Sequence, residues 1–229
     1  MKHIGIVGGL GPKSTAEYYK IICHEFNEKF SELNYPEMTI RSVNLQRIAT
    51  LFKADKWEEM AEEIVKALHD LKNAGADFAA IATNTPHNGF DFIKAKSPLP
   101  LLSIMDATAQ KIKENNMNKV LLLGTKQTME HGFFQKTFSS YGIETIIPKK
   151  EDRDLIDDLI WTELIHGIIT EETKAKFLEI IAKTNDIQGI IFGCTEIPLL
   201  LKQEDCTLPV YDTTTIHAKA ILAYSLKEN

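Results

Sequence analysis

Short apolar segments alternate with longer, mixed stretches along the whole chain. The apolar segments are bounded by Gly, Pro or polar residues and have the length and composition of buried strands. One longer stretch, residues 57–75, repeats apolar residues at helical spacing and ends at Gly75, where a helix C-terminal cap is expected. Strands alternating with helices predict an α/β fold with mostly parallel sheets flanked by helices. The predicted strands cover residues 3–9, 38–44, 78–83, 119–125, 144–148, 189–194 and 208–212.

A weak internal repeat divides this pattern into two similar halves. The segment IGIVGGLGPKSTAEYYKII is similar to VLLLGTKQTMEHGFFQKTF, which aligns Gly8 with Gly124 at an offset of 124 − 8 = 116 residues. The segment IATNTPH is similar to IFGCTEIP, which aligns Thr83 with Cys194 at an offset of 194 − 83 = 111 residues. These offsets predict two α/β lobes related by a pseudo-twofold axis. The predicted lobes are residues 1–97 plus 213–229 and residues 98–212.

The four aligned positions all stand at the carboxyl ends of predicted strands. In open parallel sheets, ligands bind beyond these ends. We therefore expect the active site in the cleft between the two lobes, with the four loops converging on it.

Composition narrows the range of partners and compartments. The formal net charge of −6 and the absence of a long basic tract argue against a nucleic-acid partner. No stretch reaches the roughly 18 apolar residues of a membrane helix, and the N-terminal segment lacks a signal-peptide cleavage site. Three widely spaced cysteines do not form a disulfide framework. We expect a cytoplasmic protein that binds neither nucleic acid nor membrane.

The glycine-rich segment VGGLGPKST does not fit a nucleotide-binding motif. A P-loop requires Gly immediately before the lysine and again five residues earlier, where this chain has Pro12 and Val7. A dinucleotide fingerprint requires three glycines at the spacing G-x-G-x-x-G, where this chain has Gly9, Gly11 and Ser14 and therefore only two of them. Backbone N–H groups of a glycine turn, followed by a helix N-terminus, instead predict an anion site suited to a carboxylate.

The histidines and cysteines do not have the spacing of a metal site. The seven histidines form no H-x-x-x-H pair, and no C-x-x-C occurs. Cys23 lies on the apolar side of a predicted helix, and Cys206 lies in a loop. We expect no metal ligands in this chain.

Cys194 differs from the other two cysteines because it stands at a strand end between Gly193 and Thr195, with a helical segment following. A helix N-terminus lowers the pKa of a thiol, which makes it a usable base or nucleophile. The alternative interpretation is a buried structural thiol, since free cysteines are often buried.

Four segments, ATNTPH, LLLGT…TM, FGCTEIPLL and VYDTTTIHA, together resemble the cofactor-independent aspartate/glutamate racemases, in order and over the whole chain. The resemblance implies racemisation by two acid/base groups on opposite faces of the substrate α-carbon. Most members of the family use two cysteines. Here Cys194 matches the second, and Thr83 replaces the first, as in a Thr/Cys variant group regarded as acting on L-aspartate and L-glutamate. The resemblance also implies that no cofactor is used and that the protein is a homodimer.

The remaining site residues follow from this resemblance and from their places in the loops. His87 is a candidate proton relay for Thr83, and Arg47 is a candidate for binding the substrate side-chain carboxylate, although a solvated surface arginine is equally consistent with its position. The family lysine for that carboxylate aligns with Ile165. Several of the remaining candidates have helix capping as an alternative role. The other predicted substrate-binding residues are Leu10, Gly11, Asn84, Thr85, Thr125, Thr128, Thr195 and Glu196.

Two other functions remain open at the level of sequence. A decarboxylase or isomerase of the same superfamily needs only one loop cysteine, here Cys194, to protonate an enediolate. A non-catalytic amino-acid sensor retains the cleft without turnover.

Overall fold

The computed structural model of the chain describes residues 1–31 and 33–227. The chain divides into two compact units, residues 1–104 with 214–229, and residues 105–213. Each unit contains a four-stranded parallel sheet flanked by helices, which confirms the predicted α/β fold class.

In the first unit, helices connect consecutive parallel strands of the sheet. Its strand order is 2-1-3-4, and every neighbouring pair is parallel. Residues 85–89 form a short 3-10 helix. The elements are β1 (Ile4–Gly8), α1 (Pro12–Phe30), β2 (Met38–Ser42), α2 (Leu45–Lys53), α3 (Trp57–Asn73), β3 (Phe78–Ile81), α4 (Phe90–Lys96) and β4 (Leu101–Leu102), with α11 (Thr213–Ser225) returning from the end of the chain.

The second unit repeats this topology. Its strand order is 6-5-7-8, again with every neighbouring pair parallel. Two further 3-10 helices cover residues 164–166 and 203–205. The elements are α5 (Ile104–Glu114), β5 (Lys119–Leu123), α6 (Lys126–Glu130), α7 (Phe133–Ser140), β6 (Glu144–Ile146), α8 (Lys150–Thr162), α9 (Glu171–Lys183), β7 (Gly189–Phe192), α10 (Ile197–Leu200) and β8 (Val210–Asp212).

Burial explains why the central strands are continuous apolar runs. Every residue of β1, β3 and β7 is buried, as expected for parallel strands covered on both faces. In the first unit, α1 and α11 pack on the same core as β1 and β3, through residues that include Tyr18 and Ile221. The C-terminal helix therefore forms part of the core that packs on the first sheet. The loops of this sheet carry half of the predicted site residues.

The predicted elements are found with small changes at their ends. The helix predicted over 57–75 is observed as α3, and Gly75 follows it with a φ of +91°, in the conformation that favours glycine. Strand β4 was not among the predicted strands. Because β4 pairs with β3, the first unit extends to Ile104, beyond the predicted limit at residue 97.

None of the helices in the described part of the chain combines the length and apolar character that a membrane crossing requires.

Candidate active site

Adjacent strand ends in the first unit carry the predicted site residues of that half. The loop after β1 contains Leu10 and Gly11, and the loop after β3 contains Thr83 and Asn84. The two loops are neighbours because β1 and β3 are paired, and the Ala82 N–H donates to the Val7 carbonyl at 3.0 Å. The structure therefore brings these predicted residues to one edge of the first sheet.

The loop after β1 depends on glycine for its tight turn. Gly9 has a φ of +79°, and an added Cβ would stand 2.4 Å from the Val43 carbonyl oxygen. The Gly9 N–H donates to the Thr15 hydroxyl at 2.9 Å, which fixes the turn onto the first turn of α1. Gly11, with a φ of +134°, is the residue immediately before that helix. The predicted anion site at this turn stays a prediction.

Thr83 lies two residues beyond the end of β3 and is half-buried. Its N–H donates to the Ile81 carbonyl at 2.9 Å, and the chain then enters the 3-10 helix of residues 85–89. Asn84 is 3% exposed and stands before that helix without capping it through its side chain. Thr85 begins the helix and is half-buried.

His87, the candidate relay, is buried beneath this loop. Its Nε2 accepts the Ile104 N–H at 3.5 Å, so the proton of the neutral ring is on Nδ1. Burial lowers the pKa of His87 to about 4, although hydrogen bonds with the backbone of Thr83 and Asn84 act in the opposite direction. His87 is therefore a neutral group that contacts the Thr83 backbone, and its function as a relay stays a prediction.

His217 forms a second buried imidazole next to His87, with ring centroids 6.4 Å apart. Its Nε2 is 3.2 Å from the Leu102 carbonyl and its Nδ1 is 2.9 Å from the Tyr18 hydroxyl. Since a carbonyl only accepts, the Nε2 carries the proton and the Tyr18 hydroxyl donates to Nδ1. Burial and the neighbouring His87 lower the pKa of His217 to about 3. Sequence reasoning did not assign this residue a role, although it lies in the VYDTTTIHA segment.

Arg47 lies on α2 rather than in a strand-end loop. Its Nη2 is 2.5 Å from Glu63 Oε2, and its side chain is 61% exposed. Hydrogen bonding by Lys66 and the charge of Arg47 lower the pKa of the Glu63 carboxyl. A substrate carboxylate would compete with Glu63 for this guanidinium, so substrate binding by Arg47 stays a prediction.

The second unit brings its predicted residues to the ends of β5 and β7. These strands are paired, and the Gly193 N–H donates to the Leu123 carbonyl at 2.7 Å. An added Cβ on Gly124 would stand 3.1 Å from the Gly193 carbonyl oxygen, so a larger residue would separate the two loops.

Thr125 caps α6, which confirms the alternative structural role for this residue. Its hydroxyl accepts the Thr128 N–H at 3.3 Å and lies 3.1 Å from the Thr128 hydroxyl. Both side chains are buried. The Lys126 N–H donates to Asp157 Oδ1 at 2.8 Å, which anchors the same helix start to α8. Sequence reasoning did not identify Asp157.

Cys194 lies two residues beyond the end of β7 and is 7% exposed. Its thiol donates to Glu196 Oε2 at 3.1 Å, and the Thr195 hydroxyl donates to the same oxygen at 2.6 Å. Glu196 is 8% exposed. A thiol, a hydroxyl and a carboxylate thus meet in one buried cluster, in which Glu196 contacts the predicted acid/base group directly.

The expectation of a lowered thiol pKa is wrong. Burial, followed by the charge of Glu196, raises the pKa of Cys194 well above its usual value, and Asp157 contributes in the same direction. The helix after the thiol, α10, has four residues, so it contributes little positive potential to offset these effects. The thiol is therefore protonated in the resting protein.

Among residues 1–31 and 33–227, no group of three or more His, Cys, Asp or Glu side chains is arranged to hold a metal ion. The thiol, hydroxyls and carboxylate at the two sets of loops can transfer protons and form hydrogen bonds.

The chain is similar to known proteins over most of its length. The family described as Asp/Glu/Hydantoin racemase matches residues 7–221. The broad specificity amino-acid racemase RacX of Bacillus subtilis is 29% identical over 228 residues, covering 96% of each chain. The structure is similar to that of a Yersinia pestis protein proposed to be an Asp/Glu racemase, with a TM-score of 0.93, 40% identity and coverage of 99% of this chain and 100% of the other. An aspartate racemase homologue from Pyrococcus horikoshii has a TM-score of 0.88 and 36% identity, with coverage of 99% and 100%.

Proposed function

Because the chain belongs to the Asp/Glu/Hydantoin racemase family, it is an amino-acid racemase, and we propose that it racemises aspartate or glutamate without a cofactor. The proposed reaction moves protons on two sides of the α-carbon, with Cys194 on one side and Thr83 on the other. The observation that carries this proposal is their equivalence: each stands two residues beyond the end of a buried strand in units of the same topology.

Racemisation requires that one group removes the α-proton and that another delivers a proton to the opposite face. The resulting carbanion is stabilised if hydrogen-bond donors hold the α-carboxylate. The proposed donors are Asn84 and Thr85 in the first unit, and Thr128 in the second. The Thr195 hydroxyl donates to Glu196 Oε2, so we propose that Thr195 acts through its backbone N–H. Their partly or fully buried positions support this role, because a desolvated hydrogen bond to a carboxylate is stronger than an exposed one.

Thr83 makes the proposed mechanism asymmetric. Its hydroxyl is a much weaker acid than a thiol, so its alkoxide is scarce near neutral pH. The group therefore delivers a proton to a carbanion more readily than it removes one from a substrate. Since the two enantiomers have equal free energy, kcat/KM must be the same in both directions, and we expect unequal kcat values balanced by unequal KM values.

We also propose that the enzyme prefers amino acids with an acidic side chain. It is supported by the Pyrococcus horikoshii homologue, which is described as an aspartate racemase homologue. The Bacillus subtilis relative is described as having broad specificity, so neutral amino acids belong in the same assay.

The test uses purified protein in D2O without pyridoxal phosphate, with each enantiomer of aspartate, glutamate, alanine and methionine. Proton NMR follows loss of the α-proton signal, and chiral chromatography follows the enantiomers. We expect exchange with inversion for an acidic substrate. Faster inversion of alanine or methionine would overturn the acidic preference. α-Proton loss with retained configuration would overturn proton delivery by Thr83.

We also propose a homodimer, which rests on the family resemblance. Analytical ultracentrifugation is expected to give twice the mass of one chain, and a mass of one chain at micromolar concentration would contradict this.

A further inference from the structure

His217 is the more firmly held of the two buried imidazoles in the first unit. Its Nδ1 accepts the Tyr18 hydroxyl at 2.9 Å, and its Nε2–H donates to the Leu102 carbonyl at 3.2 Å. Tyr18 and His217 are both fully buried, where hydrogen bonds are stronger than in water. Because both ring nitrogens are bonded, groups on α1 and β4 fix the tautomer and the orientation of this ring.

His87 is held less firmly by its own hydrogen bonds. The Ile104 N–H reaches its Nε2 at 3.5 Å, which is longer than the usual range for such a bond. Contacts with the backbone of Thr83 and Asn84 favour a proton on the ring, but among the described residues none meets Nδ1 in good hydrogen-bond geometry. The orientation of His87 therefore depends mainly on the side chains that pack against it.

Two rings pack against His87. Phe90 stacks on it, with ring centroids 5.1 Å apart and an angle of 17° between the planes. His217 meets it edge to face, at 6.4 Å and 77°. Both separations are in the range of favourable aromatic pairs. Phe90 directly follows the 3-10 helix that contains His87, whereas His217 belongs to α11, so His217 connects the ring of His87 to a distant part of the chain.

The position of His87 matters because its own helix carries the site loop. The 3-10 helix of residues 85–89 starts two residues after Thr83, and the His87 N–H donates to the Asn84 carbonyl at 2.9 Å. A rotated His87 ring would displace this short helix and the Thr83 backbone that contacts it. Proton transfer needs reacting atoms about 3–3.5 Å apart, so a small displacement of the donor slows it.

We propose that Tyr18 and His217 are positioning residues for Thr83. The Tyr18 hydroxyl orients the ring of His217, His217 holds the ring of His87, and His87 holds the loop after β3 in the conformation from which Thr83 delivers its proton. This inference rests on the proposed function. It assigns His87 a role through its position, in which the proton of its ring does not need to move.

The first test is Tyr18→Phe, which keeps the aromatic ring and removes the hydroxyl that orients His217. We expect the rate of inversion to fall about tenfold, because delivery by Thr83 is slowed. Exchange of the α-proton with retained configuration depends on Cys194, and we expect it to stay within about twofold of the parent rate. Chiral chromatography and proton NMR in D2O measure both rates on the same samples. A residue that only stabilised the fold would lower both rates together.

Tyr211→Phe is the matched control in the second unit. The Tyr211 side chain is also buried, and its hydroxyl accepts the Asn115 Nδ2–H at 2.9 Å. The chemical change is the same as in Tyr18→Phe, but it is made away from the loop after β3. We expect the ratio of inversion to exchange to be unchanged in this variant.

His217→Gln tests the next step of the same path, and it carries the test if Tyr18→Phe does not fold. The glutamine amide can still accept the Tyr18 hydroxyl and donate to the Leu102 carbonyl, but it presents no ring to His87. We expect the same selective loss of inversion. Because both residues act through one contact, the double variant should lose no more than His217→Gln alone, whereas independent residues would give additive losses and contradict the path.

Hydrogen exchange of the His87 backbone amide, followed by NMR, tests the path without turnover. We expect this exchange to be about tenfold faster in Tyr18→Phe and His217→Gln, and unchanged in Tyr211→Phe, because the 3-10 helix opens more readily when its support is lost. Unchanged amide exchange in the first two variants would overturn the inference, as would an equal loss of inversion and α-proton exchange. If the protein racemises none of the tested substrates, the proposed function fails, while amide exchange still decides whether Tyr18 and His217 hold this loop.

Discussion

Thr83 and Cys194 occupy equivalent positions in the loops after β3 and β7, each two residues beyond the end of the strand. The groups that contact these two residues are different. In the loop after β7, Cys194 is buried, and its thiol donates to the carboxylate of Glu196, two residues further along the chain. In the loop after β3, Thr83 is half-buried, and its backbone contacts the buried, neutral His87. Equivalent backbone positions therefore do not carry equivalent acid/base groups. The fold determines the position of a proton donor, and the groups around that donor determine its pKa.

The largest expected effect comes from removing the sulfur. Cys194→Ala is expected to reduce α-proton exchange and inversion at least about 1000-fold, because the group proposed to take the α-proton on that side is then missing. Proton NMR in D2O measures the exchange. Cys206→Ala is the matched control, because that cysteine lies in the loop before β8, and retained activity is expected there. Exchange that survives in Cys194→Ala would show that the two loops do not divide the reaction as proposed.

The second-largest effect is expected from changing Thr83, in the loop after β3. Thr83→Ala is expected to lower the rate of inversion about 100-fold, while Cys194 continues to exchange the α-proton of one enantiomer with retention. Thr83→Cys would make the two loops chemically alike, and we expect it to bring the two kcat values closer together. Chiral chromatography and NMR on the same samples separate inversion from exchange. Full inversion in Thr83→Ala would remove Thr83 from the mechanism.

The third effect concerns the stability of the first unit in acid. Each buried histidine has a folded pKa, about 4 for His87 and about 3 for His217, that lies below the usual 6.5. The unfolded chain therefore binds more protons below pH 6.5, so the stability that these groups contribute is complete above that pH and is lost as pH falls towards 4 and 3. Between pH 6 and 4.5 the free energy of unfolding should fall by up to about 1.4 kcal/mol per pH unit for each histidine.

Urea denaturation at several pH values measures this slope. In His217→Gln the slope should be smaller by up to about 1.4 kcal/mol per pH unit, because one of the two histidines no longer titrates. Charged groups that titrate elsewhere contribute equally to both proteins and cancel in the difference. Identical slopes in the parent and the variant would mean that His217 is not responsible for the acid sensitivity.

The smallest effect is expected at Arg47, which lies outside the two loops and is paired with Glu63. Arg47→Gln should raise the KM for aspartate or glutamate only about two- to fivefold, because an exposed ion pair contributes little binding free energy. The KM for alanine should not change. Steady-state kinetics with both substrate types test this. A change of equal size for alanine would indicate a structural role on α2 instead of contact with a side-chain carboxylate.

Much of the candidate site was predictable because the relevant signals are local. An apolar run followed by a glycine or a small residue marks the end of a strand. This pattern correctly predicted that Gly124, Thr83 and Cys194 lie just beyond the ends of strands. The two-residue strand β4 was not predicted, because so short a segment carries no periodicity and is defined only by its pairing with β3.

The sequence by itself determined the parallel α/β fold class, the repeated strand-end loops and the identity of the groups that these loops carry. These properties depend on residues near one another in the chain. The tertiary structure decided the protonation of those groups. The pKa of Cys194 depends on burial and on where the Glu196 carboxylate points, and the neutral state of His217 depends on helices and strands from distant parts of the chain. Desolvation and short-range electrostatics depend on packing in three dimensions, and no local pattern of residues specifies them.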